Sequence, residues 1–177
     1  DEEGKVLPRG KFGELCVRGY SVMLGYWEDE DKTREVIDVA KWMHTGDIAE
    51  MDDEGFIKIK GRIKDVVIRG GENLFPKEIE DFLYTHPDVS DVQVVGLPDA
   101  RYGEELCACI ILHEHSSDQL QVIEDSIRQY CKAHISHNKV PRYVRFFAEF
   151  PMTASCKAQK FKLLQLMRDE LYLSEIA

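Results

Sequence analysis

No run in the 177 residues approaches the roughly 18 consecutive apolar residues of a membrane-spanning helix, so no span is expected. The first residues, Asp1-Glu2-Glu3-Gly4, have neither the basic region nor the apolar core of a secretory signal, and they are too acidic for a mitochondrial transit peptide. The sequence reads as a piece of a longer chain. Positive charge is in short supply. With 23 Lys and Arg against 33 Asp and Glu, the net charge is −10, which removes the general basic face that nucleic-acid binding needs. Neither a Gly-Lys-Ser/Thr phosphate loop nor a Gly-x-Gly-x-x-Gly turn is present, so two common phosphate cradles are excluded. The five cysteines (Cys16, Cys107, Cys109, Cys131, Cys156) are odd in number and scattered, unlike a disulfide framework, and point to a reducing intracellular compartment. Cys107 and Cys109 share one face of the strand-like run Leu106–Leu112. Structural zinc there would need two more ligands at suitable spacing, and none follows, so both are expected as buried core thiols. His113 and His115, at the polar end of that run, read as loop. Repeats and low-complexity tracts are also absent.

What is present is a globular balance, 44% hydrophobic against 32% charged, enough to fill a core. Glu14–Arg18 alternates like a strand. Acidic residues from Asp29 onward open a short helix over Asp31–Ile37, with acid at its positive end. Met51–Gly55 is a turn, and Phe56–Lys60 alternates strictly, with Ile57 and Ile59 on one face. Gly61–Asp65 breaks that pattern. Val66–Ile68 is a short strand closed by Gly70-Gly71. Pro76 suits the first turn of a helix whose stripe is Ile79, Phe82 and Leu83, ending before Pro87. Val92–Val95 and Leu106–Leu112 are strands. Leu120, Ile123, Ile127, Tyr130, Cys131 and His134 lie at helical spacing, with Ser117 or Asp118 as cap. Tyr143–Phe147 is a further strand, and Phe161, Leu164, Met167 and Leu171 mark a last helix. The fold class expected is α+β: a small β-rich piece over residues 1–61, marginal by itself, a junction over 62–65, and an α+β domain over 66–177. Charge is uneven. From Lys132 to Arg168 there are eight Lys and Arg against Glu149 alone, a local net of +7. That segment is either a solvated basic face or a place for a small polyanion.

Some residue types point to chemistry, each with a plainer reading beside it. Trp42-Met-His-Thr-Gly-Asp47 ends a strand with an exposed carboxylate, which can accept from a diol such as ribose or bond its own backbone in a turn. Arg62 can fork onto two oxygens of a sugar or phosphate, or make a surface ion pair. Lys64 and Asp65 lie where the chain passes between the two pieces, either absorbing a backbone rotation or serving as a charged linker. Gly70-Gly71 lets a ligand lie against bare backbone, or supplies a turn with positive φ. Lys157 projects from a flexible tip of the polar loop Pro151–Phe161, and a lone loop lysine is usually just solvated.

The order of these elements carries more than any one of them. Thr45-Gly-Asp47, then Gly61-Arg-x-Lys64-Asp65-x-x-x-x-Gly70-Gly71-Glu72-Asn73-x-x-Pro76-x-Glu78-Ile79-Glu80, then Pro151-x-Thr-x-Ser-x-Lys157 resembles the C-terminal part of the adenylate-forming superfamily of acyl-CoA synthetases, luciferase and peptide-synthetase adenylation domains. Gly13–Gly19, Val22–Trp27, Ile68–Asn73, Gly103–Ile110, Ile135–Lys139 and Gln159–Leu163 add a likeness to mitochondrial medium-chain fatty acyl-CoA synthetases. The resemblance covers essentially the whole chain. It implies that residues 1–61 end a large AMP-binding domain, that 62–65 are a hinge with Lys64 at its pivot, and that 66–177 are a mobile lid. It implies that Asp47 holds the ribose of ATP, that Arg62 also touches the nucleotide, and that Lys157 serves adenylation. Gly70 and Gly71 would line the approach of CoA, with Lys132 and Lys139 as weaker candidates for its phosphates. The parent would be an ATP-dependent fatty acid–CoA ligase, with Mg²⁺ accompanying ATP on the N-terminal domain and a mitochondrial location. These residues alone would be inactive, since that domain carries the adenine and acyl pockets. An aryl-acid ligase and a non-catalytic module that keeps the fold are the alternatives. Two positions depart from the family pattern: Cys156 stands where glycine is usual, and Lys160 where many relatives have Arg.

Overall fold

The computed structural model describes residues 1–113 and 119–176, the side chains of 171–176 excepted. The proposed caps Ser117 and Asp118, His115 and the Leu171 side chain lie outside the described residues. The chain divides into two compact units, Asp1–Lys64 and Asp65–Ala177.

The first unit holds strands β1 (Phe12–Val17), β2 (Met43–Met51) and β3 (Ile57–Arg62) in one antiparallel sheet, ordered β1-β2-β3. Helix α1 (Glu30–Val36) precedes β2. Asp29 Oδ1 caps α1 by accepting from the Lys32 N–H at 3.0 Å, and Glu30 and Asp31 favour its positive end. The helix therefore starts one residue before the expected Asp31. Two further expectations need correction. Thr45-Gly46-Asp47 does not end a strand but lies in the middle of β2, and the strand of Phe56–Lys60 runs on through Gly61 to Arg62. Gly61 is buried, so glycine there allows close packing within the ladder. Burial in this unit is thin, with Ala49 and Gly61 its buried residues. Tyr20, Leu24, Trp27 and Val39 are exposed.

The second unit follows a one-turn 3-10 helix, Ile63–Asp65. Its elements are β4 (Val67–Arg69), β5 (Glu72–Leu74), α2 (Pro76–Leu83), β6 (Val89–Asp99), β7 (Gly103–Leu112), α3 (Leu120–His134), β8 (Tyr143–Phe146) and α4 (Lys160–Ile176). The sheet runs β5-β4-β7-β6, and β8 lies parallel to β7, pairing Cys107–Ile110 with Tyr143–Phe146. β7 alternates between two layers. Leu106, Ala108 and Ile110 pack with Ile79 and Leu83 of α2 and Ile123, Ile127 and Cys131 of α3. Cys107 and Cys109 pack on the opposite side with Phe150 and with Leu163 and Met167 of α4. Both thiols are fully buried, and their mutual hydrogen bond and burial raise the Cys107 pKa, so it stays a neutral thiol. The β5 strand was not anticipated. Gly70 and Gly71 close a tight β4–β5 hairpin in which Arg69 opposes Glu72.

Ile127 has no exposed surface, whereas Val122 on the same helix is 70% exposed. Ile127→Ala should cost about 2–5 kcal/mol, and Val122→Ala no more than about 0.5 kcal/mol. Urea unfolding followed by circular dichroism measures both.

Candidate active site

In the first unit, Asp47 and Arg62 are direct cross-strand partners on β2 and β3. Arg62 Nε lies 3.1 Å from Asp47 Oδ1. The Asp47 N–H donates to Thr45 Oγ1, which itself donates to the Leu15 carbonyl at 2.8 Å. Glu14 Oε1 accepts from the Gly46 N–H at 3.1 Å. Side chains of β2 and β1 thus fix this segment, and Gly46 supplies a φ of 73° that a bulkier residue would resist. The Asp47 side chain is 28% exposed, so it is half-buried rather than the exposed carboxylate expected. Lys64 sits in the 3-10 turn at the end of this unit.

In the second unit, Gly70 and Gly71 have φ of 60° and 86°. The Gly70 N–H donates to the Tyr102 carbonyl at 2.8 Å. A Cβ at Gly71 would meet nothing within 4 Å, so that edge of backbone faces open space. The hairpin is held from behind. Arg69 Nε and Nη2 donate to the two Glu105 oxygens at 2.7 and 2.9 Å, a bidentate pair in which Glu105 is 2% exposed. Arg69 also stacks on Tyr102, 4.7 Å from the ring centroid.

Lys157 was expected on a flexible tip, but its loop is a closed hairpin. Met152 and Ala158 form a β-bridge. The Thr153 N–H donates to the Lys157 carbonyl at 2.8 Å, and the Lys157 N–H returns to Thr153 Oγ1 at 3.0 Å. Gln159 spans the base, its N–H donating to the Pro151 carbonyl at 2.8 Å. Lys160 Nζ then reaches Glu80 Oε1 at 2.6 Å, tying the start of α4 to α2. Cys156 has a φ of 56°, the left-handed conformation that glycine takes freely and that costs another residue about 1–2 kcal/mol. The backbone anchors Lys157 while its side chain stays exposed.

The basic segment is largely compensated from elsewhere in the unit. Lys139 pairs with Glu78 at 2.5 Å, Arg142 with Asp99 at 2.8 Å and Arg145 with Glu170 at 2.5 Å. Lys132 is exposed on the last turn of α3. The structural roles of Glu80, Glu105 and Arg69 are not legible in the sequence. Their partners are 80 and 36 residues away, and no local pattern announces them.

Residues 78–157 match the AMP-binding enzyme C-terminal domain. The chain is 52% identical over 172 residues to the mitochondrial medium-chain acyl-CoA ligase ACSF2 of Bos taurus, covering 97% of this chain and 27% of that protein. It is 55% identical over 157 residues to the putative acyl-CoA synthetase YngI of Bacillus subtilis, covering 89% of this chain and 28% of that one. The solved ATP-bound RpMatB-BxBclM chimera B1 superposes with a TM-score of 0.85 at 34% identity, over 95% of this chain and 33% of its own. Residues 78–157 thus carry the C-terminal domain of AMP-binding enzymes. It spans about a quarter of the length of the curated relatives it matches (27% and 28%). Within the AMP-binding C-terminal domain match fall Lys132, Lys139 and Lys157, while Asp47, Arg62, Lys64, Gly70 and Gly71 precede it.

The two arginine–carboxylate pairs differ in burial, and so in stability. Arg62 is 54% exposed, so Arg62→Gln should change unfolding free energy by less than about 1 kcal/mol. Arg69→Met strands the buried Glu105 and should cost about 3–5 kcal/mol, less whatever Arg142, 3.9 Å from that carboxylate, recovers. Denaturant unfolding of both variants separates the cases.

Proposed function

We propose that these residues end an ATP-dependent ligase that joins medium-chain fatty acids to CoA in the mitochondrion. The observation that carries this reading is the 52% identity to a medium-chain acyl-CoA ligase over nearly the whole chain. The thin first unit supports it. Tyr20, Leu24 and Trp27, all exposed, suit the end of a larger AMP-binding domain that would cover them.

In the first half-reaction a substrate carboxylate attacks the α-phosphorus of ATP, giving acyl-AMP and releasing pyrophosphate. Two anions must approach each other. The Lys157 ammonium, presented on a hairpin fixed at its base, offsets that repulsion and the charge that develops. Lysine suits the role as a compact point charge on a mobile stem. Asp47 accepts from the ribose hydroxyls, and Arg62, already at its side, touches the same nucleotide. In the second half-reaction the CoA thiol attacks the acyl carbonyl and AMP leaves. The second unit then turns about Lys64, withdraws Lys157 and presents the open edge at Gly71. Lys132 remains the better candidate for a CoA phosphate, because Lys139 is engaged by Glu78. Mg²⁺ accompanies ATP in this reading. It needs a set of oxygen ligands, whereas Asp47 is a single carboxylate beside the Arg62 cation, and the metal-capable side chains grouped here among the described residues include a thiol and an imidazole. These residues therefore do not fit Mg²⁺, and no step is assigned through it.

In the intact enzyme, Lys157→Ala should slow acyl-AMP formation by roughly 10² or more, the scale of losing a preorganised charge contact. Thioester formation from supplied acyl-AMP and CoA should stay near normal. Gly71→Trp should do the reverse, and Gly71→Ala, with the same backbone strain but little bulk, should spare both steps. Cys156→Gly should leave both rates equal or higher. Pyrophosphate exchange and thioester assays measure the two halves, and equal slowing of both by Lys157→Ala would overturn the reading.

A further inference from the structure

In the first unit, on the β1–β2 side of the segment that carries Asp47, three donors of different chemistry converge. The bulge in β1 between Glu14 and Cys16, together with the direct pairing of Cys16 with His44 across β1 and β2, gathers their side chains. One ligand atom from each lies within 4.8 Å of the others. Cys16 Sγ is 3.6 Å from His44 Nδ1, and His44 Nδ1 is 2.7 Å from Glu14 Oε2. We infer that Glu14, Cys16 and His44 form a binding site for one borderline-soft divalent cation, zinc foremost.

The geometry suits that ion. With zinc–sulfur near 2.3 Å and zinc–nitrogen near 2.0 Å, tetrahedral ligands stand roughly 3.5 Å apart, which matches the sulfur–nitrogen separation. The imidazole–carboxylate pair needs to open by only about half an ångström. A thiolate, an imidazole and a carboxylate leave a fourth position for water. The supporting contacts are in place as well. Glu14 Oε1 is held by the Gly46 N–H, which leaves Oε2 for the ion. With Nδ1 on the metal, the imidazole proton sits on Nε2, and Asp38 Oδ2 lies 4.0 Å from that nitrogen. A closure of about one ångström would complete the carboxylate–histidine–metal arrangement that fixes a ligand's tautomer.

Electrostatics points the same way. Two carboxylates flank the His44 imidazole, Glu14 at 2.7 Å and Asp38 at 4.0 Å. An acidic surround of this kind favours a divalent cation. It also argues against a nucleophilic cysteine, since both the thiol and Glu14 address Nδ1 and no relay runs through the ring. Among the described residues, no Lys or Arg lies within 4.0 Å of Glu14 or Asp38, whose ion pairs are with His44. A cleft of about 420 Å³, lined among others by Glu14, Cys16, Asp38, Trp42 and His44, gives the ion a way in. Binding displaces the Cys16 proton to solvent. It would brace β2 beside Gly46 without touching the second unit's chemistry.

The test uses the intact enzyme, stripped with a chelator and titrated with Co²⁺ alone, then with Zn²⁺. Wild type should show thiolate-to-cobalt charge-transfer absorption that one equivalent of zinc abolishes. Cys16→Ser should lose that absorption and His44→Gln should bind zinc at least tenfold more weakly in chelator competition. Cys156→Ser, which removes the exposed thiol, should behave as wild type. Zinc should also protect Cys16, and not Cys156, from alkylation as read by peptide mass. Should Cys16→Ser fail to fold, His44→Gln and the alkylation pattern still decide. Absence of the absorption in wild type, or its survival in Cys16→Ser, would overturn the inference.

Discussion

Strand β7 has no side it can give to water. Leu106 to Ile110 are all fully buried, five residues in succession, so the sheet must be covered on both faces. Helices α2 and α3 cover one face and α4 the other. The second cover also sets the position of Lys157. The chain crosses to that face at Phe150, which is buried, and commits to it again at Leu163 in α4. Lys157 lies between these two anchors, on a hairpin whose base is bridged by Gln159 and whose exit is held by Lys160 on Glu80. A small polar loop thereby inherits the rigidity of the core, which is what a charge placed for catalysis requires.

Glycine and non-glycine residues divide the strained positions in an instructive way. Gly46, Gly70 and Gly71 take positive φ where the resemblance puts nucleotide and CoA, and Gly71 leaves open space beyond its backbone. Cys156 takes the same conformation beside Lys157 without that freedom. Cys156 stands where the family resemblance implies glycine, and its φ of 56° is a conformation glycine takes freely. The hairpin around it, closed by Thr153 from both directions, bears the strain.

Much of this was legible in the sequence, because the signals were local. Pro76 at the first turn of α2, the stripe of Ile79 and Leu83, the two-faced alternation of Leu106–Leu112 and the stripe of Ile123, Ile127 and Cys131 all read directly as burial. The ends of β2 and β3 did not. Asp47 looked like a strand end because Gly46 normally breaks a strand, and only pairing with Arg62 carries β2 past it. The β5 strand is three residues long and half of a hairpin, too short to show a period. The charge count suggested an open basic face, but Glu78, Asp99 and Glu80 come from earlier segments of the chain and neutralise it. Likewise the cluster of Glu14, Cys16 and His44 spans two strands and exists only once their register is fixed.

We propose that one domain serves two half-reactions by turning at the junction between the two units. Lys64 sits in the single 3-10 turn that joins them. Replacing it with proline fixes φ near −65° and restricts the residue before it, without touching Lys157 or Gly71. The direct test is to measure both half-reactions of Lys64→Pro in the intact enzyme, acyl-AMP formation by pyrophosphate exchange and thioester formation from supplied acyl-AMP and CoA. One half should be impaired at least tenfold more than the other, because the domain is held toward a single orientation. Two undiminished rates, or two rates lowered equally, would contradict it.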